Sequence, residues 1–237
     1  PTTLYARLSE LNKVDVNILT IEDPVEQRIH GIGQVQVNAK IGLTFASGLR
    51  SFLRQDPDII MVGEIRDLET CELAINASLT GHLVLSTLHT NDAAGAFPRM
   101  LDLGAEPFLI ATSIAGVIAQ RLIRVLCPHC KVPHEPTDFE LNLLGLTRNH
   151  IRGAHLCRAG GCDNCNQKGY IGRTQIQEIL TVNEEIRSLI MQRKDSSTIK
   201  RQALANGMIP FRDHGIQKVL NGITTIEELM NNTQLDI

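Results

Sequence analysis

Two Cys-x-x-Cys pairs, Cys127/Cys130 and Cys162/Cys165, and a set of acidic and imidazole groups at the ends of apolar runs are the residues of this 237-residue chain most able to do chemistry. Four thiolates about 2.3 Å from one ion make a closed, tetrahedral zinc site. The same pairs could instead be disulfide or redox couples, reduced thiols, or ligands to another metal. Zinc is preferred here. The opening Pro1-Thr2-Thr3-Leu4-Tyr5 has no basic segment followed by an apolar stretch, so a reducing, cytosolic setting is expected. Cys157 is the nearest rival ligand but lacks a Cys-x-x-Cys partner, and His129 and His134 adjoin a tetrahedron already filled. Cys71 falls on an expected helix and reads as a small core residue.

The acidic and imidazole groups follow another logic. Ile59-Ile60-Met61-Val62-Gly63-Glu64 describes a buried strand that delivers a carboxylate to the carboxyl edge of a sheet, where open α/β folds bind ligands. In nucleotide hydrolases such a group orients or deprotonates the attacking water near Mg²⁺. A solvated glutamate closing a buried strand is the plainer alternative. Two further runs repeat the arrangement. Ile18-Leu19-Thr20-Ile21 leads into Glu22-Asp23-Pro24-Val25-Glu26, and Leu83-Val84-Leu85-Ser86-Thr87-Leu88 into His89. His82 and His89 are separated by an odd number of positions, which puts them on opposite faces and at opposite ends of a regular strand. They therefore cannot share one metal ion. His89 would lie beside Glu64, whereas His82 begins the strand and is equally a structural residue. Three strands ending in ionisable groups mark one sheet edge as a candidate active site.

The elements that must hold these groups alternate. Asn17–Asp23, Asp58–Glu64 and His82–His89 read as buried strands, and Gln34–Asn38 as a small side strand. Thr3–Leu11, Leu43–Gln55, Leu68–Leu79 and Glu106–Leu122 carry apolar residues at helical spacing. This predicts an α/β domain with a largely parallel sheet. Residues 127–170 lose periodicity and are rich in Gly, Pro and polar residues; short helices follow from about Thr181. Asn183 is expected to cap Glu184–Arg193, Gly207 and Gly222 to stop helices, and Thr225 with Glu228 to form a capping box. Hydrophobic residues at 43% and charged residues at 21% describe a folded globular chain. A net charge of −3 argues against strong sequence-blind attraction to nucleic acid or anionic membrane. The longest nearly apolar run, Phe108–Ala119, is shorter than the roughly 20 residues that span a bilayer.

The segments TIEDPVE, LTFASGLRSFLRQDPDIIMVGEIRD and ASLTGHLVLSTLHTND resemble the Asp box, Walker B region and His box of the secretion ATPases. These are the type II secretion and type IV pilus assembly motors, relatives of the retraction ATPases. CPHCK, GCDNCN, GYIGRT and TTIEELM are similar to the same family's C-terminal half, so the resemblance covers essentially the whole chain. It implies a RecA-like ATPase core with a largely parallel sheet over residues 1–126, a tetracysteine zinc module over 127–172 and a helical subdomain over 173–237. The tetracysteine module points to an assembly or secretion member, and GHLVLSTLHTND with GVIAQRLIRVLCPHC leans towards type II secretion.

The resemblance also implies roles. Glu64 is the Walker B glutamate, and Gly63 stands where many ATPases carry an Asp. Magnesium would then be held less directly, through water, by Glu26 and Glu22 ahead of Asp23, which could instead cap the turn before Pro24. His89 corresponds to the γ-phosphate-sensing histidine and His82 to the box's other histidine. Arg66 could report nucleotide state to a neighbouring subunit, or simply pair with Asp67 or Glu69. The implied cofactors are ATP, Mg²⁺ and structural zinc. The implied assembly is a hexamer, cytoplasmic and peripheral to the inner membrane through a platform protein, with ATP binding changing the angle between domains.

No G-x-x-x-x-G-K-[ST] string occurs in the chain. Thr2-Thr3-Leu4-Tyr5 resembles the residues that follow the family's phosphate loop, with Pro1 where a Mg²⁺-binding hydroxyl would stand. The first strand and phosphate loop are thus expected to be absent, and this polypeptide alone to hydrolyse ATP negligibly. Competing readings are the pilus-assembly branch and a zinc-stapled interaction module without turnover. A zinc ribbon binding nucleic acid through Arg121, Arg124 and Lys131 is weaker, because 3% aromatic residues leave few stacking platforms.

Overall fold

A computed structural model describes residues 2–233. Pro1 lies outside the described residues. The chain divides into two compact units, one of residues up to Gly116 with Thr181–Gln202, the other of Val117–Leu180 with residues from Ala203 onward.

The first unit is the expected α/β layer. In order it holds α1 (Thr2–Leu11), β1 (Ile18–Glu22), β2 (Gly33–Gln36), α2 (Phe45–Phe52), β3 (Ile59–Val62), α3 (Leu68–Leu79), β4 (Leu83–Ser86), α4 (Ala96–Asp102) and α5 (Pro107–Ser113). The strands form one parallel sheet ordered β2-β1-β3-β4. The side strand expected near Gln34 is its edge. All four residues of β3 are buried, as a central parallel strand covered on both faces must be. One side packs Leu49 and Phe52 of α2 and Ala74 and Ala77 of α3 on Ile21, Ile60 and Val62; the other packs Leu8 of α1 on Ile18, Ile59 and Met61. Register is set at the amino ends, where the Asp58 carboxylate accepts the Asn17 N–H at 2.7 Å and the Asn17 amide donates to the Gln55 and Asp56 carbonyls. Ile18 then lies opposite Ile59, and Ile59 opposite Leu83, so the three strands end in one row.

The helix expected over Glu106–Leu122 forms only in its first half. α5 stops at Ser113, and β5 (Gly116–Leu126) follows. The Thr112 and Ser113 hydroxyls donate back to the Phe108 and Leu109 carbonyls at 2.7 Å, Gly116 interrupts, and β-branched Val117, Ile118, Ile123 and Val125 follow. From there burial alternates: Val117, Ala119, Arg121 and Ile123 turn inward while Ile118, Gln120, Leu122 and Arg124 face out. A period of two won over apolar spacing that mimicked a helix.

The second unit continues with β6 (Val132–Pro133), α6 (Asp138–Leu144), β7 (Cys157–Arg158) and β8 (Tyr170–Thr181). α7 (Glu184–Met191) belongs to the first unit, α8 (Ser196–Ala205) closes it, and α9 (Phe211–Leu220) and α10 (Ile226–Thr233) return to the second. β5 pairs with β8, and β6 with β7 in antiparallel register. β5 and β8 are strand partners and so fall in one unit. Ile123 and Ile176 of this ribbon meet Leu144, Leu156, Phe211, Val219 and Leu229 in the unit's core. Asn183 caps α7 as expected, accepting the Ile186 N–H at 3.1 Å. Gly207 and Gly222 follow α8 and α9 with φ of +92° and +61°. At α10 only half of the capping box forms: Thr225 Oγ1 accepts the Glu228 N–H at 3.1 Å, while the Glu228 carboxylate turns to Arg124.

Candidate active site and metal centre

The shared register puts the residues after β1, β3 and β4 side by side. Gly63 donates its N–H to the Ile21 carbonyl at 2.8 Å, and Thr87 Oγ1 donates to the Gly63 carbonyl at 2.6 Å. A Cβ on Gly63 would stand 3.2 Å from the Ile21 carbonyl oxygen and 3.4 Å from the Phe45 ring. A side chain here would crowd this junction, which glycine leaves open.

Glu64 follows and is 12% exposed. Arg66 binds its Oε1, and His89 Nε2 lies 3.2 Å from its Oε2. The Arg66 guanidinium holds the Glu64 carboxyl below the ordinary carboxylate range, against the opposing effect of burial. Neither acid suggested as an alternative partner takes Arg66. Asp67 caps α3, accepting from the Thr70 N–H at 2.8 Å and the Thr70 hydroxyl at 3.0 Å, and Glu69 pairs with Arg50. Asp23 lies near enough to add to the field on Arg66. Arg66 and His89 are 61% and 86% exposed, so both can turn towards a ligand while Glu64 stays fixed.

The acids after β1 divide by environment. Glu22 is 4% exposed and its oxygens are engaged from inside, by the hydroxyl of Tyr5, by Thr20 Oγ1 at 2.5 Å and by the Gln34 amide at 3.1 Å. Tyr5 Oη in turn accepts the N–H of Glu26 at 3.0 Å and of Gln27 at 3.4 Å. One phenol on α1 thus ties down both the buried acid and the turn after it. Burial, then the Glu22 contact, pushes the Tyr5 hydroxyl above its usual pKa. Asp23 and Glu26 are exposed, and Glu26 edges a hollow of about 340 Å³ shared with Thr2, Tyr5, Ala6, Ser9 and Gln27. Tyr5 and Gln34 were not singled out by sequence reasoning. The available signal was a tyrosine on the buried face of α1, three residues from Leu8.

His82 is placed elsewhere. It sits in the turn before β4, its Nδ1 within 2.8 Å of the Ala77 carbonyl and 3.1 Å of Thr80 Oγ1, at the opposite end of the strand from His89. The structure therefore brings Glu64, His89, Arg66 and the Asp-box acids to one edge and leaves His82 at the other.

In the second unit the four cysteine sulfurs lie within 4.8 Å of one another. Cys127–Cys162 and Cys130–Cys165 are 3.8 Å apart and Cys162–Cys165 3.7 Å. Four thiolates at about 2.3 Å from a tetrahedral Zn²⁺ stand about 3.8 Å apart, whereas a disulfide needs about 2.05 Å. The set fits a tetrahedral metal. Local folding aims it: Lys131 N–H returns to the Cys127 carbonyl at 3.0 Å, Gln167 N–H to the Cys162 carbonyl at 2.9 Å, and Gly169 N–H donates to Cys165 Sγ at 3.1 Å. Cys157, on β7, is outside the cluster, and Cys71 is buried in α3, its thiol pushed up to about 11 by burial. The cations near the first knuckle are engaged within the unit. Arg121 lies 4.4 Å over the Phe211 ring, Arg124 lies 4.1 Å over Tyr170 and binds Glu228, and Lys131 donates to the Gly222 carbonyl at 2.9 Å. Among the described residues no helix is long and apolar enough to cross a membrane.

The family profile described as Type II/IV secretion system protein matches residues 1–231. The chain is 54% identical to type II secretion system protein E of Pseudomonas aeruginosa over 98% of its own length and 46% of that protein's. It is 51% identical to the type IV pilus assembly ATPase PilB of Thermus thermophilus, over 98% of this chain and 26% of that protein. Among solved structures, the pilus retraction motor PilT with bound ADP superposes with a TM-score of 0.69 at 27% identity, covering 98% of this chain and 57% of PilT. The chain therefore spans about half the length, or less, of the relatives it matches.

Proposed function

The chain belongs to the Type II/IV secretion system protein family, and from that premise we propose that it is the C-terminal motor portion of an ATPase driving pseudopilus assembly and type II protein secretion. The observation that carries this reading is the Glu64 carboxylate, fixed between Arg66 and His89 on the edge where the Asp-box acids also emerge. A carboxylate kept ionised by an arginine is a weak base but a firm acceptor, so Glu64 orients the attacking water. His89 and Arg66, each bound to Glu64 and exposed, are placed to reach the terminal phosphate. Asp23 and Glu26 offer open carboxylates that would hold Mg²⁺ through water, whereas Glu22 shapes the turn that presents them. Magnesium, when bound, neutralises charge on the phosphates. The four cysteines would hold a structural zinc that fixes residues 127–130 against 162–169.

The working assembly is a cytoplasmic ring, a hexamer, acting on inner-membrane partners. The pilus-assembly branch carries the same chemistry, and its 51% identity is close to the 54% of the secretion relative. These 237 residues hold no phosphate-loop string, so by themselves they are expected to turn over ATP far below the roughly 1 s⁻¹ of modest enzymes. The full-length protein tests the assignment. Glu64→Gln should bind ATP within about twofold of the native protein and lose about a hundredfold or more in turnover. Undiminished turnover would remove Glu64 from the site.

A further inference from the structure

The His89 ring is almost bare, so something other than packing must set its place opposite Glu64. The chain leaves the sheet at Thr87, where Ile65 N–H donates to the Thr87 carbonyl at 3.0 Å, and does not become helical until Ala96. His89 lies in that loop. Two contacts are internal to it: Thr90 Oγ1 donates to the Asp92 carbonyl at 3.0 Å, and Asp92 Oδ1 accepts the Gly95 N–H at 2.8 Å. Such bonds shape the loop but move with it. A third reaches far along the sequence, from Lys200 Nζ on α8 to Asp92 Oδ2 at 3.3 Å.

We propose that Lys200 is a positioning residue for His89, holding Asp92 from α8 and thereby the loop that presents the imidazole to Glu64. The idea rests on the reading of His89 given above and adds a regulator to it. The pair is 19% and 23% exposed, so salt screens it less than a surface ion pair. α8 is itself a firm support: Asp195 caps it, accepting the Thr198 N–H at 2.7 Å, and Ile199, beside Lys200, is fully buried. Buried Ala93 and Ala94 fix the far side of the loop by packing. Lys200 supplies a charge-specific hold on the side of Thr90 and His89. Displacement of α8 would therefore move His89 relative to Glu64 without touching the bound nucleotide.

The test uses the full-length protein. Lys200→Met should lower kcat about tenfold while leaving KM for ATP within about twofold, because it misplaces a group without removing a binding contact. Amide exchange should rise at residues 87–95 and stay unchanged over α3 and β3, and Lys200→Arg should recover most of the rate. Native kcat with unchanged exchange in Lys200→Met overturns the proposal. So does a uniform rise in exchange with kcat and KM falling together, which marks a folding contact. His89→Ala separates the two readings. If it keeps full kcat, the role of His89 fails; if it loses kcat while Lys200→Met does not, only the tether fails.

Discussion

Replacing Cys162 with Ser takes one corner from the tetrahedron and leaves three sulfurs that cannot close it. Hydroxyls are poor zinc ligands beside thiolates, so affinity should fall by at least about a thousandfold. At about 1.4 kcal/mol for each factor of ten, this costs about 4 kcal/mol of linked folding stability. The loss falls on the second unit, where the knuckles are tied to the rest by the Cys127 N–H to the Gly169 carbonyl at 2.9 Å and by Lys131 to the Gly222 carbonyl. That unit is about 100 residues long, for which each kcal/mol moves Tm by about 4–8 °C. A drop of roughly 15–30 °C follows for its transition. Calorimetry and elemental analysis on the same purified sample would check it: native protein with one zinc per chain, the variant with little or none and the lower Tm. One retained zinc with an unshifted transition would refute the assignment of these sulfurs. A native sample that is metal-free, with thiols oxidised in pairs, would refute zinc itself.

Removing Arg66 takes away the main influence holding Glu64 below the carboxylate range, so Arg66→Ala should raise the Glu64 pKa. The acid limb of the kcat/KM profile of the full-length protein should then move to higher pH, and an unmoved limb would detach Arg66 from Glu64. Glu228 tests the second unit's frame. Burial pushes its carboxyl up, but the Arg124 side chain and N–H more than offset this and leave it lowered. A depressed carboxylate adds stability that is present above the unfolded pKa of about 4.3 and is lost as pH falls through the folded value. Glu228→Gln should cost about 1–2 kcal/mol at pH 7, the half-exposed Arg124 keeping it modest, and should flatten the acid decline in Tm; a steep decline that persists would contradict this.

The strands and the site edge were legible because each is written locally. Ile59–Val62 is a continuous apolar run, and Glu64 and His89 sit where such runs stop. The tetracysteine set was legible from spacing alone. What could not be read was whatever depends on distant partners. Glu106–Leu122 has apolar residues that satisfy both a helical and a strand period; the break at Gly116 is local, but the pairing with β8, far along the chain, is not. Glu22 looked like its neighbours Asp23 and Glu26 until Tyr5, Thr20 and Gln34 were seen to consume its oxygens. His82 and His89 flank β4, one in the turn before it and the other in the loop after it, and so lie at its opposite ends. Lys200 gave no local sign of Asp92, because an ion pair between residues on separate elements leaves no pattern in sequence.

The central claim, that the carboxyl ends of β1, β3 and β4 form the seat of a triphosphate, is tested most directly by a structure of the full-length protein with a non-hydrolysable ATP analogue and Mg²⁺. The γ-phosphate should lie within hydrogen-bond reach, about 2.6–3.2 Å, of His89 and be separated from the Glu64 carboxylate by one water. A nucleotide whose γ-phosphate sits at the His82 end of the sheet, or on another face of the protein, would contradict it.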